Sequence, residues 1–580
     1  MFIVKWALYS IADIIKVRRF HNGILPFMAL TLFAISCQNT SQPPKEIEIV
    51  REPEDLNKKT NENISDLISY FQSHEGKISD SIALRMPSSV GLWYDQQDSL
   101  RTWSSQKEWL PLADSLFLFV RQGENFGLFP ADYHYEQLAG IQNRLKKDSA
   151  AMMDVALWAR ADILLTDAFM QIVKDIKWGR LPKDSVTLRR DTVLTDSFFV
   201  AALAGVRENG TLTGYLNSLE PVHSGYRAIR EALSNFVDSM DRRVYTYLSY
   251  PFTDPVDSVQ YINNLRKRLF EADYLSTADE GIPADTLKAA IKAYQKDKGL
   301  TVDGVAGPMV VKSLNNTDQE RFKRIAINMD RYKQLPDSMP ERYLWVNIPA
   351  FELQLWDTDT LRLTSKIIVG RAQTRTPLLN SVLTNFITLP QWTVPYSIIY
   401  KEMLPKIRAN VDYLQKENLM VVDKNDSIID PHEINWFKLN KNNFPYLLKQ
   451  REGDDNSLGV IKFNFRNKYS VYLHDTNARG LFSRQDRALS HGCVRVQQWK
   501  KLSQYLIKND TVRYKADTIA AWIKRKEKHV VNFSLKLPIF IRYVTCDVRN
   551  GRIILFDDIY GEDKIARETW FRDKLNLPVL

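Results

Sequence analysis

The sequence predicts a multi-domain α+β protein with a helical N-terminal half and a β-rich C-terminal half. Its 580 residues are too many for a single core, and this length typically corresponds to about three or four domains. In segments such as 155–173, apolar residues recur every three or four positions, which is the period of a buried helix face. From Tyr343 the period changes to two, as in half-buried strands. The change of fold type is therefore expected near residue 340.

The composition is that of a globular protein, with 44% hydrophobic and 11% aromatic residues. The formal net charge of +10 comes from interspersed charges, which favours a solvated surface over a nucleic-acid interface. Three cysteines cannot build a framework of several disulfides, and the sequence contains no Cys-x-x-Cys or His-x-x-x-His spacing typical of zinc. We therefore predict no metal, no cofactor and no nucleic-acid partner.

Residues 1–37 have the features of a targeting segment. Arg18 and Arg19 precede an apolar run at 23–36, which is shorter than the ~20 residues of a membrane span and fits a signal-peptide core. The residues around Cys37 resemble a bacterial lipoprotein processing site, which implies lipidation of Cys37 and attachment to a membrane. An uncleaved anchor or an ordinary signal peptide is the alternative. Each of these predicts export of the chain to the cell envelope, facing the periplasm.

Two segments follow before the first predicted module. Residues 38–61 are polar, with two adjacent prolines and many charged side chains, and are predicted to be a tether. Residues 62–250 show helical periodicity and are predicted to form a helical scaffold domain, with prolines between separate helices.

Residues 258–315 form a compact predicted unit of three helices. Apolar stripes at 259–269 and 287–294 predict two helices, and a turn-rich loop at 298–308 leads into a third that ends near Leu314. The arrangement resembles the three-helix peptidoglycan-binding module, whose characteristic positions are occupied here by Tyr294-Gln295, Gly299-Leu300 and Asp303-Gly304-Val305-Ala306-Gly307. The resemblance implies a fold more directly than it implies glycan binding, and a plain helical bundle is the alternative.

The C-terminal half is predicted to contain four further segments. A linking helix is predicted within 319–340, and a β-rich domain over 341–515. A polar, helical-looking insertion at 401–456 interrupts that domain and is predicted to be a capping subdomain. Residues 516–580 are predicted to pack on the scaffold or on the β-rich domain.

The segment 474–495 carries the chemistry that the sequence predicts. A Ser-His-Gly-Cys turn places Cys493 close to two histidines and two arginines. A thiol reacts with carbonyls only as the thiolate, and a free cysteine has a pKa of about 8.5, so it needs a base or cationic neighbours. His474 ends a predicted strand, where a base is held rigidly. Cys546 lies in a β-rich run and is predicted to be a buried, inert thiol.

These residues also carry a family resemblance. His474, followed sixteen residues later by Ser490-His491-Gly492-Cys493-Val494-Arg495, resembles the signature of L,D-transpeptidases with a YkuD-type catalytic domain. Flanking matches are Pro349, Val369-Gly370, Thr376-Pro377 and the run PQWTVP at 390–395. Together with the helical region, the inserted module and the insertion at 401–456, they resemble the large multi-domain subgroup of that family.

The resemblance implies roles for the residues of the turn. Cys493 would be the nucleophile, and His474 the general base and then the acid that protonates the leaving amine. The carbonyl of Asp475 is the candidate for the partner that orients His474. Gly492 lets the backbone approach the substrate, and the amides of Gly492 and Cys493 are candidate oxyanion donors.

Other residues are predicted to support the site. Ser490 and His491 are supporting residues of the turn, with His491 contributing polarity rather than direct proton transfer. Arg495 would lower the pKa of Cys493 or hold a substrate carboxylate, with a structural salt bridge as the alternative. Arg487 is a weaker candidate of the same kind. Further substrate-binding candidates are Trp392 and Tyr472, which would line the cleft or belong to the core, and Trp436, which would cover the donor together with Phe437.

The resemblance implies a ping-pong reaction on the tetrapeptide stems of peptidoglycan. The donor ends in diaminopimelate and D-alanine, D-alanine is released, and an amine on a neighbouring stem forms a 3→3 cross-link. Sensitivity to carbapenems is also implied. Three alternatives remain open: an L,D-carboxypeptidase that uses water, a ligase that joins a protein to peptidoglycan, and a non-catalytic scaffold that binds the wall.

Overall fold

The structure is a computed structural model that describes residues 43–189, 193–250, 255–336, 338–510, 512–515 and 517–574. The predicted targeting segment, with the lipidation candidate Cys37, lies outside the described residues. Within the described ranges, no helix is long and apolar enough to cross a membrane.

The N-terminal region is a bundle of helices around one long buried helix. The helices are α1 (Asp55–Ser73), α2 (Pro87–Asp95), α3 (Pro111–Arg121), α4 (Tyr135–Lys147), α5 (Val155–Trp178), α6 (Asp196–Asn209), α7 (Leu212–Ser218) and α8 (Ser224–Ser239), with a short hairpin of β1 (Ser104–Ser105) and β2 (Glu108–Trp109). Helix α5 begins where the Asp154 carboxylate accepts a hydrogen bond from the Leu157 amide. It is buried on nearly every side, as expected of a helix that others surround.

The predicted tether at 38–61 is wrong for its second half. The Glu48 carbonyl accepts a hydrogen bond from the Val155 amide at 2.8 Å, and the Glu48 amide donates to the Asp154 carboxylate at 3.0 Å. Helix α1 starts at Asp55 and buries Leu56 completely. Helix α1 is highly charged and has only one narrow apolar stripe, which barely alters the average composition of the segment. A prediction based on composition therefore missed the start of this helix.

The predicted three-helix unit is present. It consists of α9 (Pro255–Glu271), α10 (Ala284–Asp297) and α11 (Pro308–Leu314). Leu265, Leu269 and Ile291 lie in its core. The side chain of Gln295 holds the turn-rich loop, because its Nε2 donates to the Asp303 carboxylate at 2.7 Å and its Oε1 accepts from the Gly304 amide at 2.8 Å.

The predicted linking helix is α12 (Asp318–Tyr332), and it is part of a core rather than a simple connector. Phe322, Ile325 and Met329 are fully buried, in a cluster shared with α8 and the C-terminal residues. This cluster joins the scaffold to the β-rich domain.

The β-rich domain is built on a nine-stranded sheet in the order β13-β5-β14-β12-β11-β6-β15-β3-β4, and β4 also pairs with β5, which closes the sheet on itself. Its strands are β3 (Arg342–Asn347), β4 (Glu352–Asp357), β5 (Thr360–Gly370), β6 (Leu379–Thr388), β11 (Ile461–Phe465), β12 (Leu473–His474), β13 (Ala488–Ser490), β14 (Val494–Val496) and β15 (Val530–Arg542). Helices α16 (Trp499–Ile507) and α17 (Thr518–Lys524) pack beside it. Strands β12 and β14 are adjacent and parallel.

The nine-stranded sheet extends beyond the predicted boundary at residue 515, because β15 belongs to it. This strand lies between β6 and β3, so the sheet is incomplete without residues 530–542. The chain continues into a hairpin of β16 (Cys546–Arg549) and β17 (Arg552–Leu555) and then α18 (Glu562–Trp570), which contact α8 and α12. The C-terminal segment is therefore part of the nine-stranded sheet as well as a contact to the scaffold.

The predicted insertion is a separate unit, which we call the cap (residues 392–450). It has a four-stranded sheet, in the order β7-β10-β8-β9, and its own hydrophobic core. Its elements are β7 (Trp392–Thr393), α13 (Tyr396–Ile398), a π-helical turn (Ile399–Met403), α14 (Leu404–Ala409), α15 (Tyr413–Lys416), β8 (Leu419–Val422), β9 (Ile428–Ile429) and β10 (Leu447–Gln450). It begins nine residues before the predicted position 401, because β7 pairs with β10 inside the cap.

Candidate active site

The pairing of β12 with β14 brings Cys493 and His474 to one place. Leu473 lies opposite Val494, and His474 lies opposite Arg495. Side chains alternate along a strand, so Tyr472, His474, Cys493 and Arg495 all project from one face of the sheet. Leu473 and Val494 project from the other face and are fully buried in the core. A nucleophile candidate and a base candidate that are distant in sequence thus share a rigid surface.

Ser490 fixes the turn that carries the thiol. Its hydroxyl donates to the Cys493 carbonyl at 2.6 Å and accepts from the Gly492 amide at 3.0 Å. The hydroxyl of Thr376 donates to the Gly492 carbonyl at 2.8 Å from the opposite side. Because the Gly492 amide is already bonded, its predicted role as an oxyanion donor is not supported. The Cys493 amide makes no hydrogen bond to any described residue and is the better candidate.

Gly492 has a φ of +117°, a conformation that side chains rarely tolerate. A Cβ built there would lie 3.3 Å from the Arg375 carbonyl oxygen. We predict that Gly492→Ala lowers stability by about 1–3 kcal/mol, the usual cost of such backbone strain, and strongly reduces acyl transfer. Thermal unfolding and product formation measure the two effects. Gly480→Ala is the matched control, because nothing lies within 4 Å of a Cβ at Gly480; equal behaviour of the two variants would contradict the prediction.

The thiol of Cys493 is half-buried and free, with its Sγ 3.9 Å from the Ser470 carbonyl. Burial raises the pKa of Cys493, and interactions with Tyr472 and the charges of Lys462 and Arg495 lower it. Burial also raises the pKa of Tyr472, so its hydroxyl stays protonated and can donate to sulfur. The resting site therefore holds a neutral thiol next to groups that stabilise a thiolate once it forms.

His474 is buried, and this burial, followed by the charge of Arg495, lowers the pKa of His474 to about 3. Its ring is therefore neutral near pH 7 and able to accept a proton. Backbone groups of Asp475 and Leu458 act in the opposite direction on this pKa, as carbonyl oxygens near the ring would. Nδ1 is nevertheless buried without a hydrogen bond to a described residue. Within the described residues, no hydrogen bond joins the His474 ring to Sγ of Cys493. In many enzymes such a catalytic hydrogen bond forms only when the substrate binds.

Asp475 and Tyr472 lie close to His474 in the chain and make different contacts. The Asp475 carboxylate accepts from the Val460 amide at 3.1 Å and from the Arg479 guanidinium at 2.5 Å, so it shapes the start of β11. The Tyr472 and His474 rings lie 5.6 Å apart between centroids, edge to face. Tyr472 thus contacts both the base candidate and the thiol.

Two cations near the thiol, Lys462 and Arg495, have no carboxylate partner among the described residues. Lys462 pairs in register with His474, and its Nζ lies 4.1 Å from the centroid of the Tyr472 ring. Nε of Arg495 is buried and lacks an acceptor among the described residues. The structural salt bridge considered for Arg495 is therefore absent there, and an anionic group of a substrate would complete the site.

Two predicted substrate contacts are corrected. The donors of Arg487 are directed to the carbonyl oxygens of Ile367, Arg484 and Phe351, so this side chain supports the sheet. Trp436 is only 3% exposed and lies in the core of the cap, where its Nε1 donates to the Pro431 carbonyl. Its neighbour Phe437 is 77% exposed on the cap surface. Both errors have one origin, since the sequence does not show which way a side chain points in an irregular segment.

The cap reaches the site at two points. Trp392 on β7 is half-buried and interacts with the Tyr472 hydroxyl, and its predicted place along the cleft stays a prediction. His491, exposed on the cysteine turn, forms a 2.6 Å contact from its Nε2 to Oε1 of Glu402 in the π-helical turn. Glu402 and Lys462 were not predicted, because strand pairing and the fold of the cap, rather than any local motif, place them here.

Within the described residues, no group of three histidine, cysteine or acidic side chains is arranged to hold a metal ion.

Comparison with known protein families defines the class of domain. Residues 341–513 match the L,D-transpeptidase catalytic domain, residues 88–233 the Scaffold domain, and residues 259–314 the "Putative peptidoglycan binding domain". Three segments of the chain thus match domain families, and the one that contains Cys493 and His474 matches the L,D-transpeptidase catalytic domain. The predicted resemblance and the predicted multi-domain α+β fold are confirmed.

Among individual proteins, a "Putative L,D-transpeptidase" of Haemophilus influenzae is 36% identical over 252 residues. The match covers 43% of this chain and 50% of the relative, so the chain spans about half the length of that curated protein. A crystal structure of an L,D-transpeptidase (Yku) from Stackebrandtia nassauensis also matches, with 13% identity and a TM-score of 0.15, covering 53% of this chain and 99% of the other.

Proposed function

We propose that this protein is a peptidoglycan L,D-transpeptidase that forms 3→3 cross-links through a Cys493 thioester. The observation that carries the proposal is the placement of Cys493 and His474 on neighbouring parallel strands, next to cations without carboxylate partners, inside an L,D-transpeptidase catalytic domain. This arrangement suits acyl transfer to a thiol rather than simple binding.

In the first half-reaction, Sγ of Cys493 attacks the carbonyl carbon at the L-centre of diaminopimelate in a donor tetrapeptide. The new S–C bond forms, and His474 takes the thiol proton. The C–N bond to D-alanine then breaks, and His474 gives the proton to the leaving amine. The Cys493 amide would stabilise the oxyanion, a contribution of about 3 kcal/mol per donor in other enzymes.

In the second half-reaction, an amine on a neighbouring stem attacks the thioester. His474 accepts a proton from that amine, the C–S bond breaks, and the proton returns to sulfur. The neutral resting forms of Cys493 and His474 imply that the proton moves as the substrate arrives. Carbapenems would acylate the same thiol and block both steps.

Arg495 is proposed to hold a carboxylate of the donor with its two-pronged guanidinium. We expect Arg495→Met to lower kcat/KM by about 10- to 100-fold, because a hydrogen bond to a charged group contributes about 1.5–3 kcal/mol. Steady-state kinetics with a soluble tetrapeptide donor measure the effect, which should appear mainly in KM. Arg513→Met, at an exposed surface arginine, is the control. An unchanged KM in Arg495→Met would remove this role.

The cap is proposed to cover the donor and to exclude water that would hydrolyse the thioester. The contacts of Trp392 with Tyr472 and of Glu402 with His491 support this proposal, because both are made near Cys493. The protein would act in the cell envelope, where peptidoglycan lies, with Cys37 as the proposed lipid attachment and residues 258–315 as the proposed wall contact.

The deciding experiment incubates the soluble protein with purified muropeptides that contain tetrapeptide stems and follows the products by mass spectrometry. A cross-linked dimer with released D-alanine is the expected result. A tripeptide alone would indicate an L,D-carboxypeptidase, and transfer to an added protein amine would indicate a ligase. Unchanged muropeptides would contradict the proposal and leave a wall-binding scaffold as the better description.

A further inference from the structure

The cap is connected to the catalytic body by very few polar contacts. It has its own sheet and its own core, separate from the core of the nine-stranded sheet. Around its two chain connections, the Arg451 amide donates to the Asn418 carbonyl, Gln450 is bonded to Asn456 and Ser457, and Trp392 lies beside the Tyr472 hydroxyl. Away from these connections, the polar contact with the body among the described residues is that of Glu402. The contact of Glu402 with His491 is the only one between an acidic and a basic side chain that joins the two units in the described part of the chain.

The two partners are well placed to couple the units. Glu402 lies in the π-helical turn, in which Ile399 and Met403 are buried in the core of the cap. Glu402 therefore moves with the cap as a whole. His491 lies two residues before Cys493, in the turn that Ser490 and Thr376 hold in place. Any movement of the cap away from the body must break this one contact beside the thiol.

We propose that Glu402 and His491 form a latch that holds the cap closed over Cys493. The inference rests on the proposed function for its consequence, since a closed cap would protect the thioester from water until an amine acceptor arrives. Glu402 would thus be a positioning residue that determines the ratio of cross-linking to hydrolysis. Both side chains are partly exposed, and such ion pairs are weak, which suits a cap that must open in every turnover.

The first test measures access to the thiol and requires no substrate. In Glu402→Ala, alkylation of Cys493 by a bulky maleimide, followed at the peptide level by mass spectrometry, is expected to accelerate about two- to five-fold, the range that corresponds to losing one exposed ion pair. Glu433→Ala removes another exposed carboxylate of the cap and is the control. A rate in Glu402→Ala equal to that of Glu433→Ala would overturn the latch.

A charge exchange separates a latch from a local structural effect. Glu402→Arg and His491→Glu should each accelerate alkylation, and the double variant should restore the slow rate because the pair is rebuilt with reversed charges. Failure of the double variant to slow the reaction would overturn the pairing. Circular dichroism and thermal unfolding identify any variant that does not fold. Because the side chains of Glu402 and His491 are partly exposed, Glu402→Ala is expected to disturb the fold least.

The second test measures the consequence with tetrapeptide muropeptides. The ratio of tripeptide to dimer is expected to rise in Glu402→Ala and to stay at the wild-type value in Glu433→Ala. An unchanged ratio with faster alkylation would overturn the role of the latch in acceptor choice. Absence of all products from the wild type would instead refute the proposed function, and the alkylation test would still decide whether the latch exists.

Discussion

Cys493→Ala is expected to abolish both the cross-linked dimer and the tripeptide, because each arises from the same thioester. Loss of a covalent nucleophile typically lowers kcat by about 10⁶-fold, so turnover should fall to background. The side chain is half-buried on a turn fixed by Ser490, and alanine leaves the hydrogen bonds of that turn intact. The fold should therefore survive, and product analysis by mass spectrometry measures chemistry alone.

The matched control for this substitution is Cys546→Ala. Cys546 is a free thiol that is fully buried between the scaffold and the C-terminal hairpin, and burial raises the pKa of Cys546 far above that of a reactive thiol. Activity retained in Cys546→Ala and lost in Cys493→Ala is the expected pair of results. Product formation by Cys493→Ala would refute the nucleophile, whereas equal loss in both variants would indicate a folding defect.

His474→Gln is expected to lower kcat/KM by roughly 10²- to 10⁴-fold, the usual contribution of a positioned general base. The substitution also changes the pH dependence. Burial raises the pKa of Cys493, so without a base the reaction must wait for thiolate, whose fraction increases with pH. The residual activity should therefore rise about tenfold per pH unit below the thiol pKa.

The wild type should respond less steeply to pH over the same range. Burial and Arg495 lower the pKa of His474 to about 3, so the base remains neutral between pH 5 and about 8 and is not lost on mild acidification. His432→Gln, at an exposed histidine of the cap, is the control. Parallel pH profiles for His474→Gln and wild type would contradict the role of His474 as the base.

The class of domain could be predicted from the sequence, because a short motif and a strand-ending histidine are local features; the catalytic roles of Cys493 and His474 stay predictions. The three-helix unit could also be predicted, because its apolar helix positions and its glycine-rich loop lie within one continuous stretch of sequence. The position of His474 opposite Arg495 follows from the pairing of two short strands, and only the alternation of side chains along each strand could be predicted in advance.

The errors concern features that depend on contacts distant in sequence. The strand β15 returns to the middle of the sheet after two helices, and no local signal marks which sheet a strand joins. Arg487 and Trp436 have the chemistry of substrate contacts, but the backbone around them turns their side chains elsewhere. Lys462 enters the site because its strand pairs with the strand of His474. Such placements require the complete fold.

The central claim is that Cys493 carries the acyl group of the donor. The most direct test mixes the protein with a tetrapeptide donor, quenches the reaction with acid and measures the mass of the intact protein and of its peptides. The predicted result is an added mass equal to the donor acyl group without D-alanine, located on Cys493 and removed by an added amine. An adduct on another residue, or cross-linked product formed without any adduct on Cys493, would contradict the mechanism.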